Sequence, residues 1–335
     1  MSLVKRLLAV LVVGIVAVGC GGAAARPDTS RPAPALARWT PFVPVHLPLD
    51  LAGPRHDGSF VLAAAGRLWS LGRDGTVTPY AAGYQSPGGE EPYIAVPAIG
   101  HRGCSFGANT VYALRLAKGH GVVAISPTGQ VRMFAALTAR GLIDGIAFDE
   151  TGRFGHRLLV TVEAGPRSTV VAIDCHGGVT TITRHAPKVE GGIAVAPSTF
   201  GRFAGDLIAS DENSGRIYAI APTGATALVA RSGLPHGGDT GVESEAFLPA
   251  HGRFTALLAD RLTPGNRHPG DDVVLSIGSG ALFAAGARPG DLLVATEGAA
   301  RTDAISCGVS SCRVRHVADG PAIAHPEGHI AIAPR

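Results

Sequence analysis

The stretch EGGIAVAP at residues 190–197 returns as EGHIAIAP at residues 327–334, and looser copies open at Glu91 (EPYIAVPA) and Asp144 (DGIAFDE). Each copy sets an acid ahead of a short run of Ile, Ala and then Val, Ile or Phe. Such a run suits the innermost strand of a radial assembly, where repeated sheets converge and side chains must be small. A second phrase recurs downstream of the first: LWSLGRDGTV from Leu68, VVAISPTGQV from Val122, VVAIDCHGGV from Val170 and IYAIAPTGAT from Ile217. Each reads as a strand, a tight turn and the start of another strand. The turn glycines Gly75, Gly129, Gly177 and Gly224 are separated by 54, 48 and 47 residues. Glycine suits the place because such turns need a positive φ, and an Asp or Thr before it can bond the turn backbone. Spacing of this size holds about four strands, the blade of a β-propeller.

The repeated acid counts the blades. Glu91 and Glu190 are 99 residues apart, which is two units, and Glu190 and Glu327 are 137 apart, which is three. The fold class is therefore all-β, a six-bladed β-propeller. Because the last copy ends the chain with no hairpin after it, the C-terminal strand is expected to close the first blade beside SFVLAAAGRLWSLG at residues 59–72, removing two open sheet edges. The segment ALFAAGARPGDLLVATEG from Ala281 reads as a further unit, GSGALFAAG at residues 278–286 as part of a strand pair, and residues 243–280 as the weakest unit, with RLTPGNRHPGDD as a long loop.

Lys5 and Arg6 precede an apolar run from Leu7 to Val18, which describes a secretory leader too short to span a bilayer. Its end, AVGC, resembles the lipobox of bacterial lipoproteins, which implies removal of residues 1–19 and lipidation of Cys20. Residues 20–42 are rich in Gly, Ala and Pro and read as a flexible tether, leaving residues 43–335 for the propeller. The protein is thus expected to be exported and held at the outer face of the membrane through its N-terminal lipid. Of 29 basic and 26 acidic residues the leader removes Lys5 and Arg6, so the net charge falls near +1, with no electrostatic footprint for nucleic acid. Nothing in the sequence calls for an oligomer, so a monomer is expected. Four cysteines follow the leader. An oxidising compartment favours disulfides, and Cys307 and Cys312 could close a short hairpin or share a metal, although zinc wants two further close ligands. Whether Cys104 and Cys175 pair is open.

The order GIAFDETG, LLVT and VVAI over residues 145–173 is similar to NHL repeats and to the family of senescence marker protein, regucalcin and gluconolactonase. The resemblance implies a six-bladed propeller with a divalent metal in its channel, held by a Glu in an EGP-like motif and by Asn and Asp opening inner strands. The nearest matches here are EEPYIAV at Glu91 and DGIAF at Asp144.

Residues at the start of inner strands gather near one mouth of the channel. Glu91, Asp144, Glu190, Glu243 and Glu327 therefore converge, with Glu245 close behind. Converging carboxylates repel unless a cation sits among them, and hard oxygens from several segments suit calcium. The residues leave three uses open: metal ligation, bonds to neighbouring blades, or contact with a substrate. His329 replaces Gly192 of the sister phrase and is the candidate general base. The cluster SDENSGR from Ser210 resembles a turn of the NHL repeat, where its polar residues stabilise that turn. No GxSxG elbow, HExxH pair, P-loop or dinucleotide fingerprint is present. The functional expectation is a cation-binding propeller that acts as a metal-dependent lactonase or esterase. The alternatives are a non-catalytic propeller binding a protein or carbohydrate, and a relative of quinone-dependent sugar dehydrogenases.

Overall fold

The structure, a computed structural model, describes residues 34–87, 92–98, 103–116, 120–238 and 240–335. Two short strands come first, β1 (Ala37–Arg38) and β2 (Thr40–Pro44). Blade 1 holds β3 (Pro48–Ala52), β4 (Phe60–Ala64), β5 (Arg67–Leu71) and β6 (Val77–Tyr80); blade 2 holds β7 (Ile94–Ala95), β8 (Val111–Arg115), β9 (Gly121–Ile125) and β10 (Val131–Ala136). Blade 3 holds β11 (Leu142–Phe148), β12 (Leu158–Ala164), β13 (Arg167–Ile173) and β14 (Val179–Pro187); blade 4 holds β15 (Glu190–Val195), β16 (Leu207–Asp211), β17 (Arg216–Ile220) and β18 (Thr226–Arg231). The strands that remain are β19 (Val242–Phe247), β20 (Phe254–Asp260), β21 (Val273–Gly278), β22 (Leu292–Thr296), β23 (Thr302–Cys307), β24 (Cys312–Asp319) and β25 (Pro326–Pro334); among the described residues one α-helix, α1 (Ser279–Ala284), follows β21.

The last two blades interleave. Blade 5 orders β19-β22-β23-β24 with β1 added in parallel, and blade 6 orders β25-β20-β21-β2. The chain thus begins blade 5, crosses to build the middle of blade 6, returns through α1 to finish blade 5, and supplies the inner strand of blade 6 last. The innermost strands touch in the circular order β3, β7, β11, β15, β19, β25 and back to β3. The fold is a six-bladed β-propeller.

Three expectations are corrected here. The C-terminal strand is an innermost strand, but it pairs with β20, Ala256 opposite Ile332, rather than with residues 59–72; blade 1 already has β3, with Leu51 opposite Leu62. Residues 279–284 are helical, because an Ala-Leu-rich segment favours helix and Leu282 enters the core between blades 5 and 6. Strand pairing also begins inside the expected tether, at Ala37. Trp39 is buried there and its Nε1 donates to Thr302 Oγ1 at 2.8 Å, which outweighs the Pro- and Ala-rich composition around it. Cys20 and the expected leader lie outside the described residues.

Six apolar clusters fill the six gaps between neighbouring blades. Blade sheets are covered on both faces, so successive residues of one strand serve different gaps. In β12, Leu158 and Val160 pack toward blade 2, while Leu159 packs toward blade 4. This explains continuous apolar runs such as LLVTV in place of strict alternation. Both cysteine pairs are disulfides: Cys307–Cys312 closes the β23–β24 turn, and Cys104–Cys175 ties the loop before β8 to the β13–β14 turn of the next blade.

The turn glycines have φ of +86°, +83°, +83° and +84° at Gly75, Gly129, Gly177 and Gly224. Three of them, Gly129, Gly177 and Gly224, also press on the preceding blade or the segment just after its outer strand. A Cβ on Gly177 would lie 2.1 Å from the Phe134 carbonyl oxygen, whereas one on Gly75 would meet the Phe42 ring at 3.5 Å. Gly75→Ala is therefore expected to cost about 1 kcal/mol through its positive φ alone, and Gly177→Ala about 3 kcal/mol because two blades must separate. Urea unfolding of the two variants checks the difference; equal losses would show that blade contact contributes nothing. By the same measurement, replacing Cys104 and Cys175 with Ser is expected to cost about 4 kcal/mol and replacing Cys307 and Cys312 about 2 kcal/mol, since the first pair constrains the longer loop.

Candidate functional site

Five inner strands slip register at or beside the repeated acid. The irregularity lies between Pro48 and Asp50 in β3, Ile143 and Gly145 in β11, Glu190 and Ile193 in β15, Val242 and Ser244 in β19, and opposite Leu257–Ala259 in β25. A bulge breaks the ladder locally and re-aims the side chain. The acid can then leave its own blade and meet those of its neighbours. Glu91 lies outside the described residues.

The acids form two linked groups. In the first, one ligand atom each from Asp144, Glu163 and Glu190 lies within 4.8 Å of the others. Thr161 Oγ1 donates to Asp144 Oδ1 at 2.8 Å, while Oδ2 of this buried carboxyl has no partner. Lys188 Nζ sits 3.2 Å from Glu163 Oε1 and 3.4 Å from Glu190 Oε2. Burial holds the Asp144 carboxyl well above the usual range, and the charges of Glu190 and Glu163 add to it. Glu163 is pushed up by burial and by Glu190, against the pull of Lys188.

In the second group, Glu297, His325 and Glu327 bring ligand atoms within the same 4.8 Å. His325 Nε2 is 3.2 Å from Glu297 Oε1 and 3.5 Å from Glu327 Oε1, and Arg261 Nη1 approaches Glu327 Oε1 at 4.0 Å. Burial works to lower the pKa of His325, but Glu297 and Glu327 overcome it and hold it up at about 10. Glu243 feels both groups. The Tyr93 hydroxyl donates to its Oε1 at 3.3 Å, and burial, then Glu327 and Glu297, raise it well above the carboxylate range. Glu212 is raised to about 8 by burial and by a hydrogen bond with Glu190.

Asp144 and Glu190 thus meet in one group, and Glu327 stands in the other with Glu243 alongside. Glu163, Glu212, Glu297 and His325 were not anticipated as site residues. Three of them carry a readable signal: LLVTVE, LIASDE and LLVATE end the second strands of blades 3, 4 and 5 with an acid at the same place. In the SDENSGR turn, Asp211 accepts from the Asn213 amide at 3.2 Å, the turn-stabilising use expected, while Glu212 faces the acids.

His329 is placed differently. Its Nδ1 lies 3.0 Å from Oδ1 of the buried Asp50, and its ring meets Tyr93 edge-on with centroids 6.1 Å apart. Asp50 also accepts from the amides of Leu51, Ile94 and His329 at 2.8, 2.8 and 2.7 Å, stitching three inner strands together. Beyond this level the channel is an apolar cavity of about 500 Å³ walled by the Ile-Ala runs, and His329 lines it. Burial works to lower the His329 pKa, and Asp50 overcomes it and raises it.

No family model matches the chain, and no curated protein matches it. Among solved structures, a streptogramin B lyase is similar with a TM-score of 0.47 and 12% identity, over 91% of this chain and 97% of that one. Virginiamycin B lyase from Staphylococcus aureus, in a catalytically inactive form with quinupristin, gives 0.45 and 14% over 86% and 92%. A candidate gluconolactonase gives 0.37 and 14% over 76% and 96%. The propeller assignment rests on the six sheets themselves.

The raised groups set a pH dependence. Folded Glu212 and Glu245 titrate at about 8 against 4.5 for an ordinary Glu, and His325 at about 10 against 6.5. A group with a raised folded pKa contributes stability below its unfolded pKa and loses that contribution as pH passes the folded one. In a chelating buffer the melting temperature is therefore expected to fall as pH rises from 4.5 through 8 and on toward 10. Thermal melts across that range check the sign, and a rising profile would contradict it.

Proposed function

We propose that the protein is a cation-binding propeller that takes calcium on Asp144, Glu163 and Glu190 at the mouth of its channel. The observation that carries this reading is the unpartnered Oδ2 of buried Asp144, set among three carboxyl groups whose oxygens approach within 4.8 Å. Three hard oxygen donors from two neighbouring blades suit calcium, and their spread tolerates its loose geometry. The second group is a weaker claimant, because His325 between two carboxylates is already satisfied as a charged hydrogen-bonded clasp. Lys188 occupies the first group as an ammonium on a flexible stem and is displaced when the cation enters.

A bound cation would polarise an oxygen-bearing ligand at the mouth. In the finer reading that ligand is a lactone or ester, and the imidazole nearest the acids is His325. His329, the base expected from sequence, is engaged by Asp50 and lines the apolar half of the channel instead. The leader read at residues 1–19 supports an exported protein anchored through Cys20, with the loop face free for a carbohydrate or protein.

Calcium titration of thermal melts tests the proposal with Glu190→Gln and Lys188→Ala beside the wild type. At about 100 times its Kd a bound cation stabilises by about 2.7 kcal/mol. The wild type is expected to gain stability, and Glu190→Gln to gain much less. Lys188→Ala is expected to melt lower than wild type without calcium and to gain more with it, because a competing cation is gone. A wild type indifferent to calcium, magnesium and manganese, or a Glu190→Gln response equal to wild type, would overturn the reading.

A further inference from the structure

At the end of blade 5 away from the acidic mouth, β23 and β24 meet in a tight turn over residues 308–311, closed by the Cys307–Cys312 disulfide. The strand order fixes that polarity: β19 leaves the mouth at Glu243, β22 returns to it ahead of Glu297, and β23 and β24 reverse direction twice more. Their turn therefore lies opposite the acids. It is also braced by blade 4, since the Arg202 amide donates to the Gly308 oxygen at 3.3 Å and a Cβ on Gly201 would lie 2.3 Å from that oxygen. At the tip Val309 is 88% exposed, whereas the next most exposed large apolar side chain among the described residues, Ile323, is 45% exposed. A valine held out this far adds nothing to the core. Arg202, bonded to the turn through its amide, and Arg313, one residue beyond the disulfide, both have exposed side chains, and residues 304–317 contain no acid.

The described chain enters beside the same strand. β1 pairs in parallel with β24, Ala37 opposite Ala318, so Leu36 comes to the sheet from the side of the turn, and it too is exposed. Cys20 stands 34 − 20 = 14 residues before Pro34, the first described residue, a reach of at most about 50 Å.

We infer that this turn is a membrane-docking tip, with Val309 entering the acyl boundary of an anionic bilayer and Arg202 and Arg313 binding lipid phosphates. An arginine lays its stem along apolar surface, keeps its guanidinium among the headgroups and pairs with phosphate through two parallel hydrogen bonds. One valine between two arginines is far smaller than the roughly 800 Å² per partner that a stable protein interface buries, but apolar insertion combined with basic charge is the chemistry of a bilayer surface contact. Such a contact orients a chain that is already tethered. The inference shares the lipid anchor of the proposed function and is independent of its cation site. It turns the acidic mouth, at the other end of blade 5, away from the membrane and toward solutes.

The test is tryptophan emission from the full chain on vesicles of equal parts phosphatidylglycerol and phosphatidylcholine with brominated acyl chains, which quench an inserted indole. Val309→Trp is compared with Val131→Trp, an exposed position on β10 of blade 2 across the ring, and wild type supplies the background of Trp39 and Trp69. Val309→Trp is expected to shift to the blue and to lose emission to the bromine, and Val131→Trp to do neither. Replacing Arg202 and Arg313 with Gln in Val309→Trp is expected to abolish the shift and the quenching, because the charge that holds the tip at the headgroups is gone. Flotation of wild type and Cys20→Ser reports the anchor separately. A chain that floats without quenching at residue 309 keeps its anchor and overturns the docking tip, as do equal quenching at residues 309 and 131 and quenching indifferent to the two arginines. Quenching at residue 309 that persists in Cys20→Ser supports the tip even if the anchor fails.

Discussion

Closure of the ring is the constraint on which the rest of the molecule depends. An open propeller would present two bare blade edges and leave one inter-blade gap unfilled. Here the segments from the two ends of the described chain enter the same sheet, β2 on its outside and β25 on its inside, with β20 and β21 between them. Blade 5 is tied into the same closure, because β19 and β22 flank the excursion that builds β20 and β21. Neither of the last two blades can be completed before the other is begun.

A closed ring gives the axis two chemically different halves from one repeated phrase. In five of the inner strands the acid stands near the start, beside a bulge that releases it from the ladder, and the apolar run follows where neighbouring strands crowd the axis. Equivalent acids then meet different fates. Asp50 is fully used, by three amides and an imidazole, and works as a stitch. Asp144 occupies a related place but retains an oxygen without a partner. The difference lies in what the neighbouring blade offers: blade 6 presents the amide and ring of His329 to Asp50, whereas blade 4 presents Glu190 to Asp144.

The features legible in the sequence are those fixed locally. Gly75, Gly129, Gly177 and Gly224 announced their turns because a positive φ is a property of single residues, and their spacing gave the number of strands in a blade. The repeated acid gave the number of blades. What stayed hidden was decided by partners distant in the chain. The pairing of β25 with β20 instead of β4 depends on which edges are free once all blades stand, and Trp39 joins the core because Thr302 offers its indole an oxygen. At the site, reading one strand per blade found Asp144, Glu190, Glu243 and Glu327 but passed over the matching acids at the ends of second strands. Those strands curve to the same mouth, so Glu163, Glu212 and Glu297 were recoverable from the LLVTVE, LIASDE and LLVATE phrases. His325 had no such signature, since its place comes from the turn that leads into β25.

The charge balance at the mouth ties these observations together. Among the described residues, Asp144, Glu163, Glu190, Glu212, Glu243, Glu297 and Glu327 form one electrostatically connected set, and only Lys188, His325 and Arg261 bring opposing charge to it. Such an excess cannot be held ionised at short range in a partly dry site. It is relieved by protons, which is why burial and mutual repulsion raise Glu212 and Glu243. A divalent cation offers the same relief without protonation, so cation and protons compete for one set of oxygens and entry of the first expels the second. His325 clasps its two carboxylates at about 3.2 and 3.5 Å and keeps the second group closed, while Lys188, on a longer and more exposed stem, can withdraw. The mouth is therefore asymmetric although its acids are nearly equivalent in sequence, and in the function proposed above it is the group guarded by the movable charge that exchanges it for a metal.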